Sequence, residues 1–182
     1  VNAGAAALAL VLVLGRRTGW PQNRPAPHNI PFVMLGAGIL WFGWFGFNAG
    51  SALAADGAAA QAFVNTFIAG AAGMVAWSAV EIIKHGKVST IGMASGIIAA
   101  LVAITPAAGY VGSMHSFVFG GAAGVLCFFA IEAKFRFGFD DSLDVVGVHF
   151  VGGVVGGVLL GFFADSSAVP GGDFINGVFF GG

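Results

Sequence analysis

The chain has 182 residues, 58% hydrophobic and 8% charged, with a formal net charge of −1. Water-soluble domains average about 25% charged residues, so this composition leaves too little polar surface to cover a globule in water. The lack of a basic excess excludes the electrostatic footprint of a nucleic-acid binder.

In chain order, apolar runs predict membrane spans at 1–14 (partial), 31–51, 62–83, 88–105, 111–131, 143–164 and 174–182 (partial). A spanning helix needs about 20 residues. The 88–105 run is short but uncharged, and tilt or flanking helices would cover the mismatch. The two partial runs predict an internal piece of a longer membrane protein. The first of them lacks a basic leader and a cleavage site, so it is a poor signal peptide.

The basic residues alternate. Arg16, Arg17 and Arg24 fall in the first gap, Lys84 and Lys87 in the third, Lys134 and Arg136 in the fifth, and the other gaps hold none. Basic residues stay cytoplasmic during insertion, so the first, third and fifth gaps face the cytoplasm. Ser51, Asp56, Tyr110, Asp165 and Asp173 are then extracellular or near it. Pro31 opens its helix where a missing N–H costs little. Trp20 is placed at the interface, and Thr105-Pro106 marks an outer helix end or kink. The 31 glycines sit inside apolar runs, where small residues let transmembrane helices approach. The single cysteine, Cys127, excludes a disulfide framework or thiolate cluster and reads as a small apolar packer.

Function must then reside in polar residues within the bilayer. His149 is the first candidate. A helix starting near Asp141 puts it about 12 Å in, at 1.5 Å per residue. Gly152, Gly153 and Gly156 share its face, and a glycine stripe meets neighbouring helices, not lipid. An intramembrane histidine is a functional hypothesis by default; the bland alternative is a neutral imidazole bonded to a carbonyl or hydroxyl. Asp141 and Asp144 come next. At least one reads as an N-terminal cap worth about 0.5–2 kcal/mol, and one as organising polar groups around a pore. The third candidate is the stripe of Trp41, Trp44, Asn48 and Ser51 with Phe47 at its edge. An interfacial aromatic girdle is the plain reading; a lined vestibule is the sharper one, since aromatic faces attract cations and a hydroxyl accepts from an N–H donor. His28, His85 and His115 lie in loops or at helix ends. Glu81 and Glu132, at cytoplasmic helix ends, are expected to be solvated.

The phrases WFGWFGFNAGS, TPAAGYVG, DVVGVH and the opening VNAGAAAL resemble the ammonium transporter family, related to the Rhesus proteins. The resemblance covers essentially the whole chain. It implies an all-α membrane protein, an ammonium-transporter-like helical bundle forming the second half of an inverted repeat. The single transmembrane domain, 1–182, would comprise the end of helix five (1–14), helices six to ten (31–164) and the start of helix eleven (174–182). His149 would be the second of two pore histidines and Asp141 the counterpart of an acid in the first half. Phe47 would be one of two phenylalanines closing the outer pore, Ser51 the hydroxyl of an ammonium recruitment site, and Trp44 the family's tryptophan on that helix. Asp144 and Thr105 are carried as supporting residues. Phe150 departs from the pattern, because Gly commonly follows the histidine. The resemblance implies ammonium or ammonia as cargo, methylammonium as analogue, a homotrimer in the cell membrane, a cytoplasmic regulatory protein as partner, and no cofactor.

A narrow apolar pore penalises a bare charge, so proton and ammonia would be handled separately, with imidazoles relaying the proton. A sensor with little flux is the alternative. An intramembrane serine hydrolase using Ser95, Ser113 or Ser116 would need a base beside the nucleophile, and no serine-elbow pattern flanks them.

Overall fold

The computed structural model describes residues 1–22 and 26–182. Arg24, counted in the first basic gap, lies outside the described residues. Helices α1 (Asn2–Leu14), α2 (Ile30–Gly50), α3 (Gly57–His85), α4 (Thr90–Ile104), α5 (Ser113–Phe137) and α6 (Val151–Phe163) follow in order, α6 being entered through a π-helical turn at Val146–Phe150.

Local chemistry sets several boundaries. Asn29 accepts from the Phe32 amide at 3.0 Å, Asp56 from Ala59 at 2.9 Å and Ser89 from Gly92 at 2.9 Å, each satisfying a backbone donor left free at a helix start. Gly86 and Gly138 end α3 and α5 in the left-handed region, at φ 74° and 75°, a conformation glycine adopts without a Cβ penalty.

Helices α3, α4 and α5 form the centre. At Gly73 an added Cβ would stand 2.6 Å from the Gly96 carbonyl oxygen, and at Gly96 one would stand 2.7 Å from that of Gly73. The α3–α4 backbones therefore meet directly, as small residues permit in a membrane. Ten of the fifteen residues of α4 are buried. Its shortness follows from this, because a helix sheathed by protein need not match the bilayer. In α2 the buried residues are Ala37 and Asn48; Trp41, Trp44 and Phe45 are half-buried, and most of the remaining surface is apolar and exposed. Among the described residues, four helices, α2, α3, α5 and the continuous Val146–Phe163 segment, are long and apolar enough to cross a membrane.

The polar links obey the expected two-sided sorting. Arg17 pairs with Asp140 and Lys84 with Glu132, joining the basic gaps. At the opposite end the Asp165 amide donates to the Tyr110 carbonyl at 2.9 Å.

Two expectations change. Residues 174–182, read as a partial span, form a 3₁₀ turn at Val178–Phe180. Gly177, Gly181 (φ 90°) and Gly182 leave too little helix propensity to offset nucleation, and the Gly177 amide is bound to the Ala164 carbonyl at 2.8 Å. Likewise the helix carrying His149 starts at Val146, not near Asp141. Asp144 adopts φ 58°, which interrupts any helix running from Asp141.

Candidate functional site

At the end remote from the basic residues, α2 presents the aromatic stripe. The Trp44 Nε1–H donates to Thr105 Oγ1 at 2.8 Å, and that hydroxyl donates to the Leu101 carbonyl at 2.7 Å. Thr105 thus fixes the indole against the end of α4. Trp44 meets the Phe47 ring edge-on, centroids 5.9 Å apart and planes at 88°. One turn on, buried Asn48 donates to Thr66 Oγ1 at 2.9 Å, so the amide braces α2 on α3. The Ser51 hydroxyl donates to the Phe47 carbonyl at 2.6 Å. Its proton is committed there, and its lone pairs remain able to accept from an N–H donor. Phe47, Ser51, Thr105, Tyr110 and Asp173 line one cavity of about 280 Å³.

At the basic end, His149 lies within the π-turn, where the Val151 amide donates to the Val146 carbonyl five residues back. It stands about 5 Å above the helix start, three residues at 1.5 Å each. Single π-turns cluster at functional sites. The ring is half-buried and lines a cavity of about 870 Å³ with Arg17, His28, Ser95 and Asp144 among the other walls. The expected glycine face is present. Gly152 packs near the Ala99 carbonyl and Cys127, a Cβ on Gly156 would collide with the Ala103 carbonyl, and Gly153 faces Val1. These contacts turn that face toward α4 and α1.

The loop before the π-turn is held by charge. Asp141, 3% exposed, accepts from the Val146 amide at 2.7 Å, so it caps the turn from outside the helix. Lys134 on α5 donates to the Asp141 carbonyl at 2.7 Å and pairs with Asp144. Burial pushes the Asp144 carboxyl up, and Lys134 offsets part of this. Arg17 grips Asp140 through Nε at 2.7 Å and through its own amide at 2.9 Å. The guanidinium hydrogen bond holds the Asp140 carboxyl below its ordinary range.

Composition and spacing did not reveal Lys134, counted only as a topology marker, or Glu81. Glu81 is 8% exposed and accepts from the Ser89 amide and hydroxyl, both at 2.8 Å. It is therefore a buried brace of the α3–α4 turn, not a solvated end. A hydroxyl eight residues after an acid across a glycine turn was the available signal. Glu132 is the partly exposed partner of Lys84. Phe150 is accommodated because Gly4 of α1 lies against its backbone. The Ser116 hydroxyl is buried with no partner, and Ser113 accepts from Gln61 at 3.0 Å, so neither is hydrogen-bonded to a base among the described residues.

A profile of the Ammonium Transporter Family matches residues 1–182. The chain belongs to the ammonium transporter family. It is 56% identical over 178 residues to an ammonium transporter of Mycobacterium tuberculosis, covering 98% of this chain and 36% of that relative. It is 51% identical to one from Aquifex aeolicus, covering 91% and 38%. Among solved structures, Candida albicans Mep2 superposes with a TM-score of 0.84 at 40% identity, over 91% of this chain and 37% of that one. A protein described as a sensor Amt protein superposes at 0.80 with 30% identity, over 92% and 42%. The chain thus spans 36% and 38% of those two curated relatives. It is an integral membrane protein of a family whose curated relatives are named as transporters, not enzymes.

Proposed function

We propose that this chain supplies half the wall of an ammonium-conducting pore. Ser51 and Phe47 form its outer recruitment site and constriction, with Trp44 and Thr105 below them. His149 handles the proton toward the cytoplasmic side. The observation that carries this reading is the outer cavity, where α2, the end of α4 and the 169–174 segment bring Phe47, Ser51 and Thr105 to one surface. Aromatic faces there attract a small cation by about 0.5–2 kcal/mol, and the Ser51 oxygen accepts one of its N–H bonds. Deeper in, the apolar wall disfavours a bare charge, so the proton separates from the ammonia. An imidazole accepts it, since histidine changes charge near neutral pH. Asp141 acts indirectly, by fixing the π-turn that holds the ring, and Asp144 anchors the same loop through Lys134. Function requires the complementary half and, as in the family resemblance, a trimer. A cytoplasmic regulatory protein would meet the basic end.

A sensor with little flux is the second reading, favoured by the likeness to the sensor Amt protein. Transport by the full-length protein separates the two. His149→Ala should change methylammonium uptake or the charge carried per molecule. Ser51→Ala should raise apparent KM more than it lowers maximal rate. Unchanged currents and uptake in both variants would remove these residues from the mechanism.

A further inference from the structure

Three carboxylates stand at the outer end, and two are consumed by backbone capping. Asp56 accepts from the Ala59 amide at 2.9 Å. Asp165, 7% exposed, accepts from the Ser167 amide at 3.0 Å and hydroxyl at 2.6 Å. Among the described residues, Asp173 has no hydrogen bond or ion pair and is the one charged side chain lining the outer cavity. The segment that carries it is a fixed wall. The Asp165 amide ties it to Tyr110, the Gly172 amide donates to the Val169 carbonyl at 2.9 Å, and Asn176 Oδ1 accepts from the Ser166 amide at 2.8 Å. Phe174 meets Tyr110 edge-on at 5.1 Å, so two further rings face the space that Ser51 and Phe47 also line.

We propose that Asp173 is a cation-recruiting residue of the outer mouth, acting with the Tyr110 and Phe174 rings on ammonium and methylammonium before they reach Ser51. This rests on the pore reading above and adds to it a charge from the chain's own outer segment. A fixed negative charge beside a wet, low-dielectric wall concentrates cations and raises their capture. Because the carboxylate is exposed, its action is long-ranged and screened by salt, whereas a hydrogen bond accepted by Ser51 is not.

The experiment uses the full-length protein reconstituted in vesicles, with methylammonium uptake measured in low and high salt. Asp173→Asn should raise apparent KM about threefold to tenfold in low salt, for one charge acting across a partly aqueous gap. Maximal rate should stay unchanged, and the difference should close near ~1 M salt, where the screening length is about 3 Å. Asp173→Glu should keep the wild-type affinity. An unchanged KM in low salt overturns the proposal. So does a loss that salt does not alter and Glu does not rescue, because that marks a structural role. Ser51→Ala and His149→Ala run in parallel. If both leave uptake unchanged, the pore reading fails by itself, and binding of ¹⁵N-ammonium to purified protein, read by NMR, then decides for Asp173. Weakened binding in Asp173→Asn upholds the inference, and equal binding overturns it.

Discussion

Replacing Lys134 by Met removes the cation that fastens the loop beneath His149 while keeping most of the side-chain volume. The lysine side chain is 10% exposed and that of Asp144 32%, so the pair is mostly but not fully withdrawn from water. Breaking a fully buried pair by deleting one partner costs about 3–5 kcal/mol. Water on the Asp144 side lowers this, and the lost charged hydrogen bond to the Asp141 carbonyl, 2.7 Å long, belongs to the same sum. The expected loss is about 2–3 kcal/mol. The pH dependence gives the sharper reading. Burial already raises the Asp144 carboxyl and Lys134 opposes the rise. Without the lysine the folded value rises further. A carboxyl raised on folding binds more protons folded than unfolded, so stability falls as pH rises above the ordinary carboxylate value of about 4. Lys134→Met should therefore be most destabilised at neutral pH and regain stability on acidification. The assay is thermal unfolding of the full-length protein in detergent across pH, with Asp144→Asn and the double variant completing a cycle. A coupling of about 1–3 kcal/mol is expected. A single-variant loss under about 0.5 kcal/mol at neutral pH, or one that does not vary with pH, refutes the reasoning.

Asp140 should show the opposite sign. Its carboxyl is held low by Arg17, so its contribution is fully present above the ordinary carboxylate value and is lost as pH falls through the depressed folded one. Asp140→Asn should flatten the acid limb of the unfolding profile, and an unaltered limb would exclude this pair as its source. Gly156→Ala should drive α6 off α4, because the new methyl meets the Ala103 carbonyl. The expected cost is about 1–3 kcal/mol, with uptake falling alongside stability. A variant as stable and active as wild type would show that the two helices do not touch there.

Topology was legible because a bilayer imposes its own period. Apolar runs must be long enough to cross it, and basic residues must stay on one side, so α2, α3 and α5 and the two-sided sorting of charge follow from residue order. The glycine face beyond His149 was legible too, since i+3, i+4 and i+7 share a side of any helix. Long-range partners were not. Lys134 reads as one more cytoplasmic cation until α5 brings it to Asp141 and Asp144, and Glu81 reads as a solvated end until the α3–α4 turn folds Ser89 onto it. The π-turn escaped for the same reason. Asp141 would start a helix by propensity, but the left-handed Asp144 and the cap from Asp141 delay it to Val146. The nine residues from 174, apolar in sequence, form a 3₁₀ turn with the Gly177 amide bound to the Ala164 carbonyl. Residue order alone therefore determined which long segments are apolar enough to cross a membrane and at which end the basic residues gather, because hydrophobic length and charge act on each segment separately. Only the tertiary structure decided where the polar groups pair, because a buried hydrogen bond depends on atoms brought together from distant parts of the chain.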